Sequence, residues 1–259
     1  ELILEKIIPF LDKPTKLVSI IWGQSEIGTI QPIIDIGNLC KKRNIIFHTD
    51  ATQVIPHMKI DWSSLPIDIL SASAHKFYGP KGIGLLLKRD SFNRYLYNSD
   101  IDKSQEQSIR NGTQPIALIA GMAKALKLLY YKVDYTNKFI RNQTSINTKL
   151  LRSLLLKLPC LTFTGAIENR IPNHISLLVS DLNGTPINSR RLVRSLSNNG
   201  LYASSGTACK VGSTEPSHVL KAIKVNSKFF NSSLRFSLDK NLDICDLELI
   251  PQLLIKSIE

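Results

Sequence analysis

Residues 45–53 read Ile45-Ile46-Phe47-His48-Thr49-Asp50-Ala51-Thr52-Gln53. Residues 68–82 read Asp68-Ile69-Leu70-Ser71-Ala72-Ser73-Ala74-His75-Lys76-Phe77-Tyr78-Gly79-Pro80-Lys81-Gly82. Each is a short apolar run that turns polar at its end. Such runs predict buried strands over 45–50 and 68–72. Working outward, 17–22 reads as another buried strand and 82–88 as a further one. Between them, residues 30–43 carry Ile33, Ile34, Ile36, Leu39 and Cys40 at helical spacing. Strands alternating with helices predict an α/β fold with a central sheet flanked by helices. Polar residues collect just past the strands' carboxyl ends, where such sheets hold their ligands.

Further along, 119–131 and 137–156 have helical patterns. Strands are predicted over 161–163, 175–179 and 234–238, and helices over 187–197 and 242–258. The expected organisation is a large domain over 1–125 and a smaller C-terminal α/β domain over 126–259. The chain has 259 residues, 43% of them hydrophobic, which is enough for a substantial core. Its 33 basic and 21 acidic residues leave a net charge of +12. The densest basic patches, Lys41-Lys42-Arg43 and Arg190-Arg191, fall in helical patterns and read as solvated faces. No basic stripe interleaved with aromatics suggests nucleic acid. No apolar run approaches the ~20 residues that span a bilayer. Cys40, Cys160, Cys209 and Cys245 are far apart, with no CxxC pair, so neither a zinc site nor a disulfide framework is expected. A reducing compartment is the simplest setting. The chain opens at Glu1 without an initiator Met and reads as truncated.

Three segments carry chemistry. In the first, Asp50 ends one strand, and Ser73, His75 and Lys76 follow the next. A carboxylate, an amine, a hydroxyl and an imidazole then converge on one crevice. Pyridoxal phosphate needs that set: a lysine for covalent attachment, a carboxylate to keep the ring nitrogen protonated, and donors for the phosphate. Asp50 also fits a turn or cap, and Lys81 in the Gly-Pro-Lys-Gly turn competes as the amine. The second segment, 203–218, is a polar, Gly-containing loop with one cysteine, Cys209, ahead of a helix predicted to start near Glu215. Such a loop suits a nucleophilic thiol better than a structural one. Cys40 and Cys245 lie in helical segments and Cys160 closely follows one, as structural cysteines do. In the third, Arg235 interrupts a strand-like run. Its planar fork suits a substrate carboxylate, and an internal salt bridge is the equal alternative.

In combination and order, Asp50-Ala51-Thr52-Gln53, Ser73-Ala74-His75-Lys76, Tyr78 to Gly82, Ser204 to Cys209 and Arg235-Phe236-Ser237 resemble the NifS/IscS-type cysteine desulfurases. These belong to the class V aminotransferase-like, pyridoxal-phosphate-dependent enzymes of fold type I. Glu26-Ile27-Gly28, Arg110 to Thr113 and Arg170 to Asn173 resemble family segments too. The likeness runs across nearly the whole chain. The resemblance implies that Lys76 carries the cofactor and shuttles protons, with Asp50 on the ring nitrogen and Gln53 on the ring hydroxyl. Ser73 and His75 hold the phosphate, joined by Thr113 from the neighbouring subunit of a homodimer. Arg235 takes the carboxylate of L-cysteine. Cys209 takes its sulfur as a persulfide, leaving L-alanine, and is a transient iron–sulfur ligand at most. No resident metal is expected. The implied partners are an iron–sulfur scaffold or another sulfur-acceptor protein, with tRNA thiolation as a further outlet, and without direct nucleic-acid or membrane contact. The implied setting is cytoplasmic, or an organellar stroma or matrix. Ser25 falls where the family carries an asparagine that contacts cofactor or substrate. The family's N-terminal part is not found in the chain; it carries a threonine-containing phosphate loop and a histidine stacked on the cofactor. The alternatives are a selenocysteine lyase, an aminotransferase, or an inactive truncated fragment.

Overall fold

The structure is a computed structural model that describes residues 1–90, 110, 112–130, 142–206, 217–239 and 241–258. Its contacts separate two compact units, one of 2–23 and 31–140, the other of Glu1, Gln24–Ile30 and Arg141–Glu259. This break at 140/141 lies past the 125/126 division expected for the domains, which we retain as a proposal. Gln24–Ile30 groups with the later unit although it follows the first strand.

The first unit holds a four-stranded sheet in the order β1-β2-β3-β4, formed by Leu17–Ile21, Ile46–Asp50, Ile69–Ser73 and Gly84–Lys88. β1, β2 and β3 run parallel, whereas β4 returns antiparallel to β3. The antiparallel return follows from the short Tyr78–Ile83 connection, which is too brief for a crossover helix. The helix α2, Ile33–Lys42, links β1 to β2 and packs on β2. It begins three residues later than its pattern predicts, because Pro32 takes the N-cap. Its inward residues Ile33, Ile36, Gly37 and Cys40 are buried, following the 3.6-residue period. Phe47, Leu70 and Phe77 complete this core. α1, Leu4–Leu11, is not among the elements the pattern predicts; Pro9 sits inside it. α3, Ile116–Tyr130, packs against the turn that follows β3.

The second unit is an antiparallel sheet, β5-β6-β8-β7, from Leu161–Phe163, His174–Val179, Ser233–Ser237 and Ser204–Ser205. β6 is central and buried at all six residues. The helices α4, Asn142–Leu155, α5, Ser189–Asn198, and α7, Ile244–Ile258, close its core around Leu151, Leu155, Leu177, Leu196, Leu234 and Leu254. The short α6, His218–Ala222, starts three residues beyond the expected Glu215. The start of the 137–156 helix, before residue 142, falls outside the described residues. Among the described residues no helix is long and apolar enough to cross a membrane, and no cluster of three or more His, Cys, Asp or Glu could hold a metal ion.

Candidate active site

β2 and β3 are neighbours and parallel, with Asp50 opposite Ser71, so their carboxyl ends share one edge. Asp50 is the last residue of β2 and Ser73 the last of β3. Ala74–Phe77 then forms a single 3-10 turn that carries His75 and Lys76, both exposed, while Ala74 and Phe77 anchor it in the core. Tyr78 ends the turn with φ 66°, a left-handed conformation uncommon for a large side chain, and the Gly79 amide donates to the Ala74 carbonyl at 2.9 Å. A Cβ on Gly79 would stand 2.9 Å from that of Ala74, so the following residue has to be small. Lys81 lies past this turn and five residues from Lys76.

The two strand ends are tied together. The Thr52 amide donates to Asp50 Oδ1 at 2.9 Å, and the Thr52 hydroxyl accepts from the Ser73 amide at 3.2 Å. Gln53 follows in the same turn, half-buried. Asp50 is half-buried and has no salt-bridge partner among the described residues. On the same face of β2, the His48 imidazole bridges Ser19 Oγ at 2.7 Å and Ser71 Oγ at 3.1 Å, a row across three strands. Burial lowers the His48 pKa against the opposing pull of Asp50. An uncompensated carboxylate, hydroxyl donors and an exposed amine at one edge match what pyridoxal phosphate requires, and the residues present fit it. The linking role of Thr52 and the His48 row have no distinct sequence signal, since single hydroxyls in strands are commonplace.

Arg235 and Ser25 lie in the second unit. Arg235 sits mid-strand on β8 and donates from Nη1 to the Ser25 carbonyl at 3.0 Å. The same carbonyl faces His174 Nε2 at 2.9 Å. Cys209 lies outside the described residues, but both flanks of its segment are fixed. The Gly206 amide donates to the Ser233 carbonyl at 3.1 Å. Beyond the segment, the Ser217 hydroxyl donates to Glu26 Oε2 at 2.5 Å while its oxygen accepts the Val219 and Leu220 amides as the α6 N-cap. Ten residues, 207–216, join these anchors. Thr113 is exposed. Cys40 and Cys160 are buried, and burial pushes their thiols up, that of Cys40 to about 11. Cys245 differs from the sequence expectation: it lies on α7 but on its exposed side.

The fold is that of the pyridoxal-phosphate-dependent α/β enzymes. The chain belongs to the class-V aminotransferase family, whose sequence pattern it matches over residues 1–250. It is 36% identical over 247 residues to the cysteine desulfurase IscS of Clostridium botulinum (strain Kyoto / Type A2), an alignment covering 95% of this chain and 60% of that protein. Among solved structures, the NifS-like protein of Rickettsia africae superposes with a TM-score of 0.83 at 25% identity, covering 99% of this chain and 66% of that one. SspA in complex with cysteine superposes with a TM-score of 0.70 at 30% identity, covering 92% of this chain and 62% of that one. The chain thus spans about three-fifths of the length of its relatives.

Proposed function

We propose that the chain is the cofactor- and sulfur-handling part of a cysteine desulfurase, which takes sulfur from L-cysteine and leaves L-alanine. One observation carries this reading: Asp50, Ser73, His75 and Lys76 gather at one parallel-sheet edge in a class-V chain whose sequence also holds a cysteine in a Gly/Ser/Thr-rich segment. The likeness to IscS and to a cysteine-bound SspA supports it.

In this reading Lys76 supplies the amine that attaches pyridoxal phosphate and moves the proton at the substrate's Cα. When bound, the cofactor supplies an electron sink that weakens bonds around that carbon. Asp50, with one oxygen held by the Thr52 amide, offers negative charge to the ring nitrogen. Gln53 faces the ring hydroxyl, Ser73 and His75 donate to the phosphate, and Thr113 serves the neighbouring subunit of a homodimer. The Arg235 guanidinium pairs with the substrate carboxylate, and Ser25 stands beside it where relatives use an asparagine. The Cys209 thiolate attacks the substrate sulfur. A sulfur–sulfur bond forms and the carbon–sulfur bond breaks, the carbon taking a proton to become alanine. The acceptor is a scaffold protein for iron–sulfur clusters, or a sulfur carrier for tRNA thiolation. The expected setting is cytoplasmic, or the stroma or matrix of an organelle.

The test is Cys209→Ser in the full-length protein. Serine keeps the shape, but its hydroxyl does not ionise near neutral pH and holds no persulfide. The variant is expected to bind cofactor and cysteine yet release no alanine, and mass spectrometry is expected to find persulfide on Cys209 alone in the unmodified protein. Persulfide on another cysteine, or normal turnover in Cys209→Ser, overturns the mechanism.

A further inference from the structure

Residues Gln24–Ile30 form a tight turn in which the Gln24 amide donates to the Thr29 carbonyl at 2.8 Å and the Gly28 amide to the Gln24 carbonyl at 2.9 Å. Three side chains of the second unit reach into this turn and all aim at backbone carbonyls. Arg170 is 9% exposed, and its Nη2 donates to Ile27 at 3.1 Å. Arg235 Nη1 donates to Ser25 at 3.0 Å, and His174 Nε2 lies 2.9 Å from that same oxygen.

A carbonyl only accepts, so Nε2 of His174 must carry the ring proton and Nδ1 must be bare. Among the described residues Nδ1 has no hydrogen-bond partner. It faces Gly28, where a Cβ would stand 2.5 Å away. A second proton would place a cation beside the guanidinium groups of Arg170 and Arg235. Burial first, and those two charges after it, hold the His174 pKa at about 3. The imidazole is therefore a neutral donor in a fixed tautomer, at a place where a charged donor would be repelled.

We propose that His174 is a positioning residue for substrate-carboxylate recognition: by fixing the Ser25 carbonyl, it fixes the direction in which Arg235 presents its guanidinium. The inference rests on the reading of Arg235 as the carboxylate-binding group. The carbonyl has two lone pairs and takes one N–H on each. Without the imidazole, the Ser25–Glu26 peptide keeps only the Glu26 N–H bond to Gln24 Oε1 and the Arg235 contact to set its plane, so the carbonyl can tilt and the Nη1 of Arg235 tilts with it. A bidentate pair with a carboxylate depends on that direction as well as on charge. Glutamine at 174 keeps an N–H donor at the reach of Nε2, whereas methionine keeps the length and volume without a donor. The pair His174→Gln and His174→Met therefore isolates the hydrogen bond.

The experiment uses the cofactor-loaded full-length protein, with Arg235→Lys as the third variant. L-alanine and ethylamine are titrated against the cofactor absorbance, the second being the same amine without a carboxylate. His174→Met is expected to weaken L-alanine about five- to tenfold, the size of one hydrogen bond, and to raise KM for L-cysteine by the same factor with kcat nearly unchanged. His174→Gln restores both, and ethylamine is indifferent to either change. In the cofactor-free protein, nitrogen NMR is expected to show slow rotation of the Arg235 Nη groups with His or Gln at 174 and fast rotation with Met. If His174→Met does not fold, His174→Leu takes its place. Equal L-alanine affinity in His174→Met and wild type, with Arg235→Lys weakened, overturns the positioning role and leaves the Arg235 reading intact. Unchanged L-alanine affinity in Arg235→Lys overturns both.

Discussion

The carboxyl edge of the parallel sheet and the turn at Gln24–Ile30 place functional groups in opposite ways. At the sheet edge, Asp50, Ser73, His75 and Lys76 are set by where two neighbouring strands end. Backbone register does the positioning, and the side chains themselves stay half-buried or exposed. At the turn, side chains do the positioning. Arg170 and His174 are buried, and each spends one donor on a carbonyl more than 140 positions away. The first arrangement leaves its groups free to act on a ligand at little structural cost. The second binds the local fold to particular side chains, so the two places should respond to mutation in different terms, one in ligand chemistry and the other in stability.

The largest stability effect is expected at Arg170. Its guanidinium donates to the carbonyls of His174, Thr164, Ala166 and Ile27, at 3.1, 3.3, 2.6 and 3.1 Å. Burial pulls its pKa down to about 10, but it remains a cation at neutral pH. Arg170→Met keeps the bulk of the stem and strips all four carbonyls of their donor. Each buried, unsatisfied acceptor costs about 1–3 kcal/mol, partly recovered by relaxation, so a loss of roughly 3 kcal/mol or more is expected. Urea denaturation measures it. A loss below about 1 kcal/mol would mean that water or neighbouring donors replace the guanidinium, and the contrast between the two regions would shrink accordingly.

A smaller, pH-dependent effect is expected from His174. Its folded pKa of about 3 lies below the ordinary value of 6.5, so the unfolded chain binds the extra proton first. Between those two values the unfolded state holds more protons than the folded one. The contribution of His174 to stability is therefore flat above pH 7, falls as pH drops below 6.5, and stops falling near 3, with a slope of roughly 1 kcal/mol per pH unit. His48 adds a slope of the same sign, because burial lowers it too. His174→Gln removes the first contribution only. Urea midpoints from pH 7 to 5 should then fall less steeply in the variant than in wild type. Parallel curves would show that the imidazole takes up a proton in the folded state without resistance.

The same contrast explains what was legible in the sequence. The strands at 46–50 and 69–73 show because each is an apolar run with buried residues, and the residues that end them show because polarity begins where burial stops. The run at 17–21 also forms a strand, but not the buried one its apolar residues predict: none of its five residues is buried, and Leu17 and Ile21 are exposed, because an apolar run reports strand propensity and not the cover over its faces. The segments around Asp50 and Lys76 are continuous, so their chemistry is local in sequence. Arg170 and His174 are hidden for the converse reason. Their partners are backbone carbonyls, which carry no residue identity, and Ile27 lies 143 positions from Arg170. The antiparallel return of β4 follows from the length of a connection and not from periodicity. α1 carries Pro9, which weakens any helical reading. Cys245 shows the limit of assigning burial by element: a helix has an outer face, and that cysteine is on it. Cys209, the sharpest sequence feature, lies outside the described residues, and only its flanks at Gly206 and Ser217 have a structural account.

The smallest stability effect is expected at the two candidate amines, and it separates them by chemistry alone. Lys76 and Lys81 are both exposed, and neither side chain contributes to the buried core. Lys76→Ala and Lys81→Ala are each expected to change unfolding free energy by no more than about 0.5 kcal/mol, as exposed substitutions away from caps and networks do. Their effects on cofactor attachment should differ completely. Lys76 sits in the 3-10 turn directly after β3, two residues past the core-anchored Ala74 and next to buried Phe77, so its backbone is fixed at the sheet edge. Lys81 follows the Tyr78-Gly79-Pro80 bend, next to Gly82 with φ 87°, on the way into β4. In a full-length protein, Lys76→Ala should abolish the visible absorbance of lysine-attached pyridoxal phosphate, and Lys81→Ala should keep it. The reverse outcome would move the attachment point to the β4 side of the bend. It would also break the argument that strand register alone brings the amine to Asp50, because Lys81 is placed by the bend and not by the end of β3.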